Sequence, residues 1–157
     1  MSLEKNKAII RRLCEAENKR NLALLDELMA SDYIDDALQV RSRKEYKQMQ
    51  TMVGKAFPDF HETVEDITAE GDKVWVRLKA TGTHTGEYTG YLPSIGKIIL
   101  APTGKKFTMT GVLIYRIVDG KIVEKESWVY DVLDFYKQLG VIEYTEKVKK
   151  LFPKDVK

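Results

Sequence analysis

The sequence is poor in most features that would commit it to a membrane, a metal or a nucleic acid. Its 157 residues hold one cysteine, Cys14, so neither an internal disulfide nor a thiolate metal cluster is available. A reducing, cytoplasmic setting is the expectation, with Cys14 a packing residue in a helical segment. The two histidines, His61 and His84, form no metal-ligand motif with the scattered carboxylates, and no metal is assigned. No apolar run approaches the roughly 18 residues that a membrane-crossing helix needs. The polar start (Glu4, Lys5, Lys7) lacks the apolar core of a signal peptide. Basic and acidic residues number 26 and 24, and a net charge of +2 gives no electrostatic case for nucleic acid or a membrane surface as partner.

What the chain does have is the composition of a globular protein: 43% hydrophobic and 32% charged residues. Its length suits one domain over residues 1–157, large enough to bury a core. The first third reads as helices. Ile9, Ile10, Leu13 and Ala16 recur at three-to-four spacing, and Asn21 is a plausible N-cap for a second helix through Leu22, Leu25, Leu28 and Met29. Ser42-Arg43-Lys44-Glu45 matches a capping box that opens a third helix, closed by Pro58. Residues 33–40 between these helices suit a strand or small hairpin.

From residue 60 the period changes to two. Val64, Val74, Val76, Leu78 and Ala80 alternate with polar neighbours across Gly71-Asp72. Phe107, Met109, Leu113, Tyr115 and Ile117 form another such run, ended by the hairpin dipeptide Asp119-Gly120. A last strand leads towards Asp131, then a helix ending at Gly140, a short helix over 143–152 and a frayed tail beyond Pro153. Helices followed by long antiparallel strands predict an α+β domain with a curved sheet enclosing a small-molecule pocket. The Gly- and Pro-rich stretch from Gly86 to Lys106 carries Ile98-Ile99-Leu100 and reads as an apolar flap.

Several segments are familiar in this order: Ala56-Phe57-Pro58-Asp59, Gly82-Thr83-His84-Thr85-Gly86-Glu87-Tyr88, Pro102-Thr103-Gly104-Lys105-Lys106, Thr110-Gly111 and Ile114-Tyr115-Arg116-Ile117. Asp119-Gly120-Lys121-Ile122-Val123-Glu124, Trp128, Asp131 and Gln138-Leu139-Gly140 continue the series. Together they resemble the SnoaL-like polyketide cyclase family, over about residues 6 to 140, with 141–157 a C-terminal helix and tail. The resemblance implies a cone-shaped α+β barrel, a curved antiparallel sheet wrapped around N-terminal helices. This is the cystatin-like fold shared with nuclear transport factor 2 and ketosteroid isomerase. It also implies intramolecular aldol ring closure without cofactor or metal, an acidic residue serving as acid and base, and homodimerisation through the outer sheet face.

Three positions depart from the family pattern. Asp36 follows Tyr33-Ile34-Asp35 where members often carry His, and Arg116 stands where the cyclases place another His. The stretch from Glu124 to Asp131 is one residue longer than the commonest spacing, which suggests a bulge or shifted register. In a regular strand Asp131 shares a face with Val129, Ser127, Lys125 and Val123, while Trp128 and Tyr130 face the other way; a bulge reverses that relation.

Asp131 matches the family's catalytic acid, and burial in an apolar cavity would lift its pKa towards operating pH. It sits equally well as the N-cap of the final helix, with Asp134 three residues on. His84 and Asp36 are the assisting catalytic candidates, each with a plain structural reading: a turn histidine and a solvated turn acid. Tyr33, Phe57, Trp75, Tyr88, Tyr115 and Trp128 are expected to line the pocket around a small apolar or aromatic ligand. Two readings of function follow: a cofactor-free acid/base enzyme for aldol cyclisation, isomerisation or hydrolysis of a small carbonyl compound, or a non-catalytic binder or dimeric interaction protein.

Overall fold

The computed structural model describes residues 2–92 and 96–151, apart from the side chains of Leu92, Ser127 and Trp128. The tail expected to fray and the Trp128 side chain therefore lie outside the described residues. Helix α1 (Leu3–Asn18) is capped by Ser2, whose hydroxyl accepts from the Lys5 amide, and it buries Ile10, Leu13, Cys14, Ala16 and Glu17. A single turn, α2 (Leu25–Leu28), leads into strand β1 (Met29–Asp35). The second helix is thus shorter than its apolar spacing predicted, because Met29 already begins the strand.

Helix α3 (Arg43–Ala56) starts at the expected capping box. Ser42 Oγ accepts from the Glu45 amide at 3.2 Å, and the Glu45 carboxylate reaches back to the Arg41 amide at 2.7 Å. Strands β2 (His61–Glu70), β3 (Lys73–Thr83), β6 (Lys106–Val118) and β7 (Lys121–Tyr130) form antiparallel neighbours, with β1 added parallel to β7. The order is β1-β7-β6-β3-β2, so the curved sheet is open, with β1 and β2 as its edges, and does not close into a barrel. Asp119 and Gly120 both take positive φ (49° and 77°), as the two-residue turn between β6 and β7 requires.

Within the flap, β4 (Tyr88–Leu92) and β5 (Gly96–Leu100) pair as a separate hairpin. Ile98 and Leu100 pack inward while Ile99 is exposed, so the apolar reading of this stretch holds. Helix α4 (Val132–Gln138) follows β7, and α5 (Glu146–Lys149) is a single turn within the stretch expected to be helical.

Packing falls into two apolar groups. One joins α1, α2 and β1 to Val74, Val76, Leu113, Tyr115, Ile117 and Ile122 of the sheet. The other gathers Phe57, Ala80, Phe107, Phe135, Tyr136 and Leu139 beneath the flap, with Phe57 in edge contact with Phe107 and Tyr88.

Candidate functional site

Between these two groups lies a cavity of about 490 Å³, a size that suits a small organic molecule. Its apolar middle is built from Met49, Met52, Val53, Phe57, Phe60, Phe107, Met109, Leu113 and Phe135. Residues 88–91 of β4 and Lys97 of β5 form one wall, and the exposed Gln39 and Gln48 stand on the lining with Lys97. A different set of side chains makes it polar: Glu17 of α1, Tyr46 and Gln50 of α3, Glu62 of β2 and Lys125 of β7.

Register explains how Lys125 comes to be there. Two extra residues, Val123 and Glu126, are accommodated on β7, since Ile117 pairs with Ile122, Arg116 with Glu124, Tyr115 with Lys125 and Ile114 with Ser127. Lys125 and Tyr130 therefore stand opposite Tyr115 and Gly111, on one side of the sheet by register, whereas unbroken alternation would put Lys125 with Val129. The Lys125 side chain is buried, and its Nζ lies 2.5 Å from Asp35 Oδ2. Asp35 in turn accepts the Leu38 amide at 3.0 Å.

Glu17 is 4% exposed and receives two donors on Oε1, the Tyr46 hydroxyl and Gln50 Nε2 at 2.9 Å. Burial raises its pKa, against the hydrogen bonds from Tyr46 and Glu62 and the charges of Lys125 and Arg20. Glu62 is raised well above the ordinary carboxyl range, first by burial and then by the Glu17 charge beside it. Two close carboxyls in an apolar setting hold one proton between them, and the Tyr46 and Gln50 donors on Glu17 Oε1 favour the carboxylate there and the proton on Glu62. Tyr46 stays a phenol, since burial and the Glu17 charge push its pKa far up. Asn18 fixes Glu62 from behind: its side-chain amide accepts the Glu62 N–H at 2.7 Å and donates to the Glu62 carbonyl at 2.8 Å. The same Glu62 also borders a surface depression between α1 and β2, beside Cys14, Asn18, His61 and Val64.

The sequence candidates are placed as follows. Asp131 is an exposed N-cap of α4, its carboxylate accepting the Asp134 amide at 2.9 Å, and it does not line the cavity. The capping reading is the one that fits, because that bond holds the side chain at the helix start. Asp36 is also outside: it is exposed and paired with Arg41 at 2.6 Å, while strand alternation turns Tyr33 and Asp35 inward instead. His84 is fully buried but absent from the lining. Its backbone bonds Lys105 and Gly104, its Nδ1 lies 3.1 Å from Thr103 Oγ1, and its ring packs on Phe57, which fits a turn histidine. Burial lowers its pKa.

Of the aromatic candidates, Phe57, Tyr88 and Tyr115 line the cavity. Tyr33 is buried behind it against Tyr46, with ring centroids 5.2 Å apart. Trp75 alternates with the buried Val74 and Val76 and so lies on the outer sheet face. Glu17, Tyr46, Gln50, Glu62 and Lys125 were not anticipated as site residues. Among the described residues no cluster of His, Cys, Asp and Glu suits a metal ion, and no helix is long and apolar enough to cross a membrane.

An open curved sheet folded over helices, with a cavity between them, defines the α+β class of nuclear transport factor 2-like proteins. Residues 7–139 match the SnoaL-like polyketide cyclase family, and the chain belongs to it. It is similar to the aklanonic acid methyl ester cyclases DauD of Streptomyces sp. (strain C5) and DnrD of Streptomyces peucetius. Each is 28% identical over 139 residues, spanning 84% of this chain and 80% and 88% of those proteins. Among solved structures it resembles IdmH from Streptomyces antibioticus (33% identity, TM-score 0.68, 87% of this chain and 99% of that one). TsrD from Streptomyces laurentii shares the fold at 20% identity, with a TM-score of 0.77 over 90% of this chain and 99% of that one.

Proposed function

We propose that the protein is a cofactor-free acid/base catalyst that cyclises or isomerises a small, apolar or aromatic carbonyl compound held in the cavity. The observation that carries this is the cavity itself: its middle is apolar, and the carboxyls on its lining are Glu17 and Glu62. An apolar enclosure keeps water from an enolate and strengthens each charge within it. The cyclase relatives support a ring-closing reaction.

The test uses aklanonic acid methyl ester as probe, with binding followed by fluorescence quenching and turnover by liquid chromatography. Saturable binding with conversion to a product of unchanged mass is the expected result. Binding without conversion favours a non-catalytic carrier, and absence of binding by this ester and by simple aromatic ketones overturns the reading. The buried lone Cys14 suits a cytoplasmic setting.

The outer sheet face supports homodimerisation as a companion reading. Val112 and Val129 are paired neighbours there, 39% and 67% exposed, beside the Trp75–Ile114 pair. Light scattering distinguishes a dimer from a monomer, and Val129→Lys should shift the former towards the latter.

A further inference from the structure

We infer that Glu17 and Glu62 are a catalytic couple, Glu17 the base and Glu62 the acid, returning to their starting state by passing one proton across their contact. This rests on the cavity reading above and assigns its chemistry. The geometry is asymmetric. Both neutral donors, Tyr46 and Gln50, converge on Glu17 Oε1, which defines it as the carboxylate. Glu62 Oε2 is buried with no hydrogen-bond partner, in the wall of the cavity. A buried carboxyl with no other donor on it is stable as the neutral acid, whose O–H is given to Glu17 until a ligand oxygen takes it.

The steps balance without a co-reactant. Glu17 takes a proton from the carbon next to a carbonyl, and the C–H electron pair becomes the enolate. For ring closure, that carbon attacks a second carbonyl of the same molecule. The new C–C bond forms as the C=O π bond breaks, and the resulting oxygen takes the Glu62 proton. Glu17 is now protonated and Glu62 ionised, and transfer between them restores both. Isomerisation uses the same cycle with the Glu62 proton delivered to carbon or oxygen of the enolate. No water enters the stoichiometry, which separates both reactions from hydrolysis.

The charged and titratable groups around the pair are consistent with one shared proton. Lys125 of β7 and Arg20 beyond α1 are the cations whose fields reach it; Tyr46 of α3, Tyr115 of β6 and Cys14 of α1 are held neutral by burial and by the pair's charge. Lys125 is shared with Asp35, so it does not neutralise two further carboxylates.

Two measurements test the couple. In the free protein labelled with 13C at glutamate carboxyls, one resonance should titrate well above the surface glutamates. It should vanish in Glu62→Gln and move down in Glu17→Gln, where the adjacent charge is gone. Both carboxyls titrating with the surface set would overturn the proposal. The second arm follows loss of deuterium from 2-tetralone labelled next to its carbonyl. Glu17→Gln should slow the exchange about 100-fold, and Glu62→Gln, which keeps a weaker N–H donor, about tenfold. Glu62→Leu should lose more than Glu62→Gln. A fast Glu17→Gln with a dead Glu62→Gln would reverse the roles and overturn the assignment. If neither 2-tetralone nor aklanonic acid methyl ester binds, the cavity reading fails while the carboxyl titration still judges the pair.

Discussion

Lys125 Nζ stands 2.5 Å from Asp35 Oδ2, joining the parallel strands β7 and β1 where both side chains are almost completely buried. Ion pairs at that depth are valuable less for their attraction than for the damage done when one member is left alone. Lys125→Met leaves Asp35 uncompensated and withdraws positive charge from Glu17 and Glu62. It should cost about 3 kcal/mol or more in urea denaturation. Adding Asp35→Asn should recover part of that loss, and the coupling read from the double-mutant cycle measures the pair.

The Glu62 elevation has a definite signature in folding. The folded chain keeps a proton on Glu62 that the unfolded chain releases in the ordinary carboxyl range. Between those two values the native state binds more protons, so stability falls as pH rises through that window. Glu62→Gln removes this term. Urea melts from pH 4 to pH 8 should therefore show a flatter profile for the variant, with its advantage largest at the alkaline end.

His84 has the opposite sign. Burial holds its folded pKa below the ordinary imidazole value, so the unfolded chain takes up a proton first as pH falls. Stability contributed by the neutral ring is present above that ordinary value and is lost as pH drops through the window below it. His84→Gln should lose stability overall, since the ring packs on Phe57, yet show a weaker acid limb in the same melts.

Asp131 should behave as a cap. Asp131→Ala is expected to cost about 1 kcal/mol, and Asp131→Asn, which keeps an acceptor for the Asp134 amide, much less. Exchange of labelled 2-tetralone should be unchanged in both. Loss of exchange in the stable Asn variant would return the catalytic role to this residue.

Gly86 ties the flap to the body of the protein. The Thr85 and Gly86 amides both bond the Ala56 carbonyl, and a Cβ at 86 would sit 2.2 Å from the Lys55 carbonyl oxygen. That neighbour is helix backbone and cannot swing aside, so Gly86→Ala should destabilise by about 2 kcal/mol. Because the loop leads directly into β4, weaker retention of a cavity ligand should accompany it in off-rate measurements.

The sequence carried more of the frame than of the site, for reasons that differ residue by residue. Alternation in β3 and β6, the Ser42 capping box and the Asp119-Gly120 turn are local signals, and all appear where their periods place them. Some of the site was legible by the same means. Glu17 continues the helical stripe of Ile10, Leu13 and Cys14, Glu62 is in phase with Val64, and Asp35 with Tyr33, so each reads as a charge on an inward face. Lys125 was legible only in part: the extra residue between Glu124 and Asp131 pointed to a bulge, which the register places at Glu126, but the second bulge at Val123 had no such signal. Asp131 was open between two readings for a complementary reason: an acid ahead of a helix has the same appearance whether it faces a ligand or the helix amides.

Glu62 borders both the cavity and the depression outside α1 and β2, so the chamber and the surface meet at this residue. A shorter residue there should do more than remove an acid: it thins the partition between the chamber and the surface. Water entering through a thinner partition would compete with carbon for an activated carbonyl. On the proposed chemistry, the length of the side chain at position 62 then bears on whether the chamber closes a ring or breaks a bond with water.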